Sequence, residues 1–389
     1  MAARPADTPT GAGVGLPEVG REWGRIGCIG FGGPPAHISL LRELCVTRHQ
    51  WLSEGEFEDA IAACNLLPGP ASTQLAILCA WRVAGPVGAL VGGIAFIVPG
   101  LALILALAVV FLASAPPLWV GGAGAGAGAA VAAVAVRAGV GLLPASWRGS
   151  PLHARWLAYV LVGGVAAATL GALLVVVLLA GGLLEVLWQG RVRQGGRLAL
   201  HVWPLLATVS VATGGTLALV WVALKVGALS YGGGFVIVPL MQADAVSHYH
   251  WMTSVQFVNG VALGQITPGP VLLTIAFVGY AAGGIGGGLL AAAVAFAPSF
   301  AFVLLGARHF SRLRANPQVQ SFLDGAGPAA IGAIIGAAVP LALALHTGWQ
   351  FGVLSGAAVA LLLLRRSVVP VLLTAGLIGA IVGATGAPL

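Results

Sequence analysis

Two tripeptides, Pro68-Gly69-Pro70 and Pro268-Gly269-Pro270, stand in the middle of apolar stretches, 200 residues apart. A proline lacks a backbone N–H and, inside a helix, clashes with the preceding turn. At the first helical position it costs nothing, because the N–H there has no partner anyway. The N–H groups after Pro70 and Pro270 then lie unpaired at a helix start, where the macrodipole adds about half a positive charge. Ser72 and Thr73 bring hydroxyls to the first copy. Thr267 and Thr274 flank the second, and an amide precedes each break, Asn65 in one and Gln265 in the other. All of these can donate hydrogen bonds, so the chemistry they offer is the binding of an anion.

Other residues extend this set. Gly32-Gly33 and Gly232-Gly233-Gly234 occupy matching positions upstream. Glycines there permit positive φ and close backbone approach, and successive N–H groups in such turns form anion-binding nests. Arg25 and Lys225 each lie a few residues before their glycines in an apolar context. Intramembrane charge is costly and points to function, and a related pair of cations would attract an anion from both sides. His37, Arg42, Glu43 and Asp59 flank the first-half breaks as gating or proton-carrying candidates, and Asp324, in an apolar run, is a candidate for ion coupling. Glu185 reads as a residue snorkelling from a helix end.

The elements that must hold these residues are membrane helices. Of 389 residues, 59% are hydrophobic and 7% charged, with a mean hydropathy of +0.99, against about 25% charged in ordinary soluble domains. At about 20 apolar residues per span, the chain has room for roughly ten to twelve membrane segments. The predicted spans are 15–46, 57–81, 86–113, 118–143 and 156–188, the last being one span or two, then 203–246, 256–282, 285–308, 320–346, 349–364 and 370–386. Those at 57–81 and 256–282, like the stretches at the glycine-rich motifs, read as broken or re-entrant helices, with two half-helices meeting near mid-membrane. Broken backbone at that depth is tolerated only where it is buried in protein or lines a wet cavity, and matched interrupted segments point to a transporter site.

The register is that of an internal duplication. Phe31-Gly32-Gly33 matches Tyr231-Gly232-Gly233, Trp51 matches Trp251, Phe57 matches Phe257, and Pro99 matches Pro298 with a slip of one. The expected organisation is a repeat over 1–190, a polar linker over 191–201 and a second repeat over 202–389. Cytoplasmic loops concentrate Lys and Arg. The loop after 86–113 is uncharged, whereas its counterpart 308–314 has three arginines; the loop after 118–143 carries Arg148 and Arg155, whereas its counterpart near 345–348 has none. Alternation of this kind predicts an inverted repeat in an all-α polytopic membrane protein.

Several classes are excluded or disfavoured. The net charge of +7 is scattered over segment ends, with no basic run and interleaved aromatics, so no nucleic-acid partner is expected. There is no P-loop, dinucleotide fingerprint, nucleophile elbow or HExxH, and no cofactor or metal is called for. His248-Tyr249-His250 lacks further ligands and reads as a loop; the four cysteines lack CxxC spacing. The N-terminal stretch has no apolar core of a cleaved signal peptide. A membrane enzyme would need clustered acids, and the eleven Asp and Glu residues show none; a passive channel would show a charged pore ring. The sequence leaves open whether the chain is a monomer or a homodimer in the bilayer.

FGGPPAHISLLREL with NLLPGPASTQLAI, KVGALSYGGGFVIVPLMQ with GQITPGPVLLTIAFVGY, and FLDGAGPAAIGAII together resemble the chromate ion transporter family of long-chain, two-domain type. The resemblance covers roughly 20–115 and 220–335. It departs at Tyr231, where phenylalanine is usual, and at Gln242-Ala243-Asp244, where a Gln-Arg-Glu-like run is usual. It implies a secondary transporter in the bacterial inner membrane that expels chromate and confers chromate resistance, driven by membrane potential or a proton gradient. Sulfate and molybdate, of similar size and charge, are the alternative substrates.

Overall fold

The computed structural model describes residues 14–64, 69–150, 152–192, 214–230, 236–306 and 316–387. The chain is helical throughout them. In the first half, α1 (Leu16–Ile29) is followed by α2 (Pro34–Arg42, continuing as a π-helical turn, Glu43–Arg48), α3 (Glu54–Cys64), α4 (Ala71–Phe111), α5 (Leu118–Gly149), α6 (His153–Thr169) and α7 (Leu174–Val192). In the second, α8 (Thr216–Leu229), α9 (Ile237–Gln242), α10 (Ser254–Ile266), α11 (Thr274–Gly306), α12 (Pro317–Gly336), α13 (Ala338–Leu343), α14 (Gly348–Ala358) and α15 (Val368–Ala384) repeat the order. Four stretches, Ala71–Phe111, Leu118–Gly149, Val271–Gly306 and Pro317–Leu343, are long and apolar enough to cross a membrane. Leu305, Leu343 and Leu363 are exposed on the outer surface, where acyl chains rather than water suit them.

The longest helix of each half bends back on itself. Gly85 in α4 and Gly284 in α11 have φ of +68° and +63°, a left-handed conformation that only glycine adopts at no cost. Beyond the bend, Gly88 and Gly92 lie against Ala80 and Gly93 against Ile77; in α11, Gly287 lies against Gly279 and Gly288 against Ala276. Each helix is therefore a hairpin of two limbs, 71–83 with 86–111 and 274–282 with 285–306.

The limbs before these bends form a second turn with the helix that precedes them. Gly264 faces Thr274 and Gly260 faces Phe277, so α10 and the first limb of α11 run side by side in opposite directions. In the first half the Arg82 guanidinium donates to the Glu56 carbonyl, which sets α3 beside the first limb of α4 in the same way. Of the broken and the re-entrant arrangements expected at 57–81 and 256–282, this is the re-entrant one. Gly69-Pro70 and Pro268-Gly269-Pro270 stand at the tips of these re-entrant hairpins, and the glycine bend downstream returns the chain over the limb that left the tip.

The second limbs of α4 and α11 cross at the centre. Gly93 faces Phe300, and Leu105 faces Gly288, so contact positions descend on one limb as they rise on the other. Equivalent helices of the repeat thus run antiparallel, the relation that an inverted repeat imposes. Around this centre the halves interlock. α5 packs on α14 and α15 of the other half, and α12 on α6 and α7. Gly122 and Gly126 abut the Gly379 and Ala375 carbonyls, and Gly325 abuts that of Gly181. Small residues allow the close van der Waals approach that replaces the hydrophobic drive between helices in lipid. The predicted span 156–188 is two helices, separated near Leu170. The expected linker begins later than 191, since α7 continues to Val192.

Candidate functional site

At the first tip, Gly69 has φ +125°, and the Pro70 carbonyl accepts from the N–H groups of Thr73 (2.9 Å) and Gln74 (3.0 Å). The N–H groups of Ala71 and Ser72 precede the first helical hydrogen bond and have no carbonyl below them in the helix. At the second tip Gly269 has φ +96°, and the Pro270 carbonyl accepts from Leu273 N–H at 2.9 Å. Asn65, Pro68, Gly232 and Gly233, predicted as part of the site, lie outside the described residues.

Each tip seats against the second limb of the other half. Gly69 approaches Ser299 on α11, with space for a Cβ only 3.3 Å from its hydroxyl. The Pro268 carbonyl abuts Gly100 on α4, and Gly269 faces the Phe96 carbonyl. Gly100 and Ser299 are the residues after Pro99 and Pro298, so the two seats are equivalent in the repeat.

The glycine break of the first half joins the second tip. Gly32 and Gly33 have φ of +102° and +73°, and Gly33 caps α2. A Cβ on Gly33 would sit 3.8 Å from Val271, so the starts of α2 and of the Val271–Leu273 turn come together. The Gly30 carbonyl accepts from Gly269 N–H at 3.0 Å. It accepts also from His37 Nε2 at 2.9 Å, which assigns the ring proton to Nε2. His37 is fully buried and lies edge-on to Phe96, with ring centres 5.0 Å apart.

Polar atoms at these breaks are buried without partners. Among the described residues, Thr73 Oγ1, Ser230 Oγ, Gln265 Nε2, Ser299 Oγ and His37 Nδ1 have none. A buried polar group left unpaired costs about 1–3 kcal/mol, and native proteins retain few of them. Their concentration at two symmetry-related breaks, beside free helix starts, is what a site for a polar ligand requires. Ser72 is buried beside them. Thr267 and Thr274 differ, because their hydroxyls donate to the Leu263 (2.7 Å) and Val271 (2.9 Å) carbonyls.

Sequence reasoning missed Ser230 and Ser299. The signal for Ser299 was its place after Pro298, opposite Gly100 after Pro99; that for Ser230 was its place before the second glycine run.

The predicted cations are not free. Arg25 has a side chain 59% exposed and lies 4.0 Å from Glu22, a buried carboxylate also paired with Arg21 (3.2 Å) and Arg48 (3.5 Å). Lys225, its side chain 11% exposed, is ion-paired with Asp244, within the run that departs from the family pattern. The charge of both is spent on neighbouring carboxylates, so neither is the unpaired cation expected at the breaks. Arg42 pairs with Glu54 and Glu58 on the surface, and Glu43 and Asp59 are exposed; of the four gating candidates only His37 reaches the breaks.

Asp324 lies elsewhere, half-buried between α12 and α7 beside Glu185, which is 2% exposed. Glu185 does not snorkel: it accepts from Tyr159 (2.9 Å) and Gln189 (2.9 Å) and pairs with Arg155 (3.1 Å).

Comparison with known proteins bears on what this cradle serves. A family model described as chromate transporter matches residues 17–186 and again 217–383. The chain is 33% identical over 376 residues to a chromate transport protein of Cupriavidus metallidurans, covering 94% of this chain and 92% of that one. It is 30% identical over 347 residues to a chromate transport protein of Pseudomonas aeruginosa, covering 85% and 82%. An uncharacterised transporter of Methanocaldococcus jannaschii is 26% identical over 368 residues, covering 88% of each. No solved structure matches. The two matched regions are the two interlocked halves, each with its broken hairpin, and the chain accordingly belongs to the chromate transporter family, multi-pass membrane transporters and not enzymes.

Proposed function

We propose that the chain exports chromate across the bacterial inner membrane as a secondary transporter and so confers chromate resistance. The observation that carries this reading is the set of five buried polar atoms at the two breaks that have no partner among the described residues, beside the helix starts at Ala71 and Val271. A tetrahedral dianion offers four oxygens as acceptors, and the breaks offer backbone N–H groups, hydroxyls and an amide. The proposed ligands are the backbone around Gly32, Gly33, Gly69, Pro70, Gly269 and Pro270 with Ser72, Thr73 and Gln265, to which we add Ser230 and Ser299. His37 Nδ1 donates to an anion only when the ring is charged. The repeats 1–190 and 202–389 supply one tip each, and alternating access is their rocking about the crossing of α4 and α11.

The test is uptake of labelled chromate into inside-out vesicles carrying the chain, with sulfate and molybdate as competitors. Saturable uptake that a tenfold excess of sulfate reduces only partly is expected. No uptake above empty vesicles refutes a chromate exporter, and uptake of sulfate in preference to chromate moves the assignment to that oxyanion.

A further inference from the structure

A second polar cluster, apart from the breaks, lies where α12 of the second half packs on α6 and α7 of the first. Glu185 is fully provided for: Arg155 at 3.1 Å supplies the counter-charge, and Tyr159 and Gln189 donate at 2.9 Å each. The Gln189 amide is oriented by the Ser321 hydroxyl, 2.6 Å from its Oε1. Its Nε2 is thereby turned to the carboxylates and is shared with Asp324 at 3.4 Å. Asp324 has no other hydrogen bond and no ion pair among the described residues.

The two carboxylates thus share one amide NH2 group, and Arg155, paired with Glu185, is the one cation in contact with the cluster among the described residues. With both carboxylates ionised these groups carry one uncompensated negative charge. Such a charge is costly inside a membrane protein, and a like charge nearby disfavours ionisation. One proton on Asp324 makes the cluster neutral. We infer that Asp324 is the protonation site that couples proton movement to transport, resting on the transport reading above. Its place explains how: Glu185 and Asp324 face each other across an interface between the halves, so deprotonation sets like charges against each other and favours separation of α12 from α7. Among the described side chains of the surrounding helices, no other titratable group compensates it. Tyr159 is bonded to Glu185, His153 stacks on Trp147, Arg148 donates to the Pro144 carbonyl, and Arg137 has no carboxylate partner among the described residues. The Arg191 side chain lies outside the described residues, and α9 and α13 carry no titratable side chain.

Two measurements on the full chain test this. In liposomes held at fixed membrane potential, an imposed pH gradient is expected to speed chromate flux several-fold for the unaltered chain and for Asp324→Glu. Asp324→Asn is expected to retain chromate–chromate exchange within about twofold while its ratio of flux with and without the gradient falls to one. An Asp324→Asn chain that answers the gradient like the unaltered chain overturns the inference. The second measurement needs no substrate. Dicyclohexylcarbodiimide reacts with protonated carboxyls in apolar surroundings, and mass spectrometry is expected to find its adduct on Asp324, declining as pH rises. No adduct there at any pH overturns the inference even where chromate moves. A pH-dependent adduct in a chain that moves no chromate upholds the protonation site and refutes the proposed substrate.

Discussion

The two halves share a backbone and differ in what they hang on it. In the first, the tip is followed by Ser72 and Thr73, and Thr73 Oγ1 is buried with no partner. In the second, the same positions are Leu272 and Leu273, and the nearby hydroxyls of Thr267 and Thr274 donate to their own helices. The cations diverge as well. Arg25 is one of three exposed arginines around Glu22, whereas Lys225, largely covered, has Asp244 as its one carboxylate partner among the described residues. Duplication preserved what glycine and proline dictate, since a helix break has few chemical solutions. The side chains were free to diverge, one tip keeping hydroxyls where the other packs leucines.

The largest effect is expected where the halves are most alike. Gly69 and Gly269 both have positive φ, so a side chain strains either tip. Gly69→Leu and Gly269→Leu are each expected to abolish chromate transport at normal membrane levels. Alanine sharpens the comparison. At Gly69 a Cβ meets the Gln74 amide and, at 3.3 Å, the Ser299 hydroxyl, while at Gly269 the nearest atom is 3.4 Å away in the flexible Leu273 side chain. Gly69→Ala is therefore expected to lose most transport and Gly269→Ala to retain a measurable fraction. Equal activity of the two alanine variants would break the asymmetry.

How much of this was legible in the sequence follows the range of the interactions. The breaks, the duplication and the inverted relation are written in prolines, glycines and arginines whose effects are local or statistical. The turns at Gly85 and Gly284 were legible as the gaps between the predicted spans 57–81 and 86–113 and between 256–282 and 285–308. The return of α3 beside the first limb of α4, and of α10 beside that of α11, was left open, because a Pro-Gly-Pro break fits a kinked span and a hairpin alike. Without that return, α3 and the first limb of α4 look like one broken span. The partner of Lys225 was hidden for the same reason: Asp244 lies 19 residues on and reaches the lysine only because α9 packs beside α8. The Glu185–Asp324 network needs the two halves to interlock, which no pattern within either half reveals.

The cations give the next effect. Removing one partner of a buried ion pair costs about 3–5 kcal/mol, because the remaining charge is stranded. Lys225→Met is thus expected to deplete the folded protein in the membrane, and Lys225→Met with Asp244→Asn to restore its level. Arg25→Ala leaves Glu22 with Arg21 and Arg48, and an exposed ion pair contributes about 0–1 kcal/mol. Its level and transport are expected to stay within about twofold of the unaltered chain. Loss of transport in Arg25→Ala at a normal level would give this arginine a role in handling the anion that its contacts do not reveal.

The smallest effect separates the hydroxyls. If Thr73 donates to chromate, the bond is one to a charged acceptor, with a contribution of about 1.5–3 kcal/mol, or about tenfold to a hundredfold in affinity. Thr73→Val keeps the shape and removes the donor, so the apparent chromate constant is expected to rise by that factor while the membrane level holds. Level holds because the hydroxyl has no partner to lose. Thr267→Val also keeps shape, but its hydroxyl hydrogen is already engaged by the Leu263 carbonyl at 2.7 Å. Its loss is expected to change the chromate constant by less than about threefold, and to shift thermal stability slightly instead. The pair is measured as chromate uptake against concentration, beside melting of the purified chains. A larger rise in the chromate constant for Thr267→Val than for Thr73→Val would reverse the roles of the two tips, making the second half the donor and the first its support.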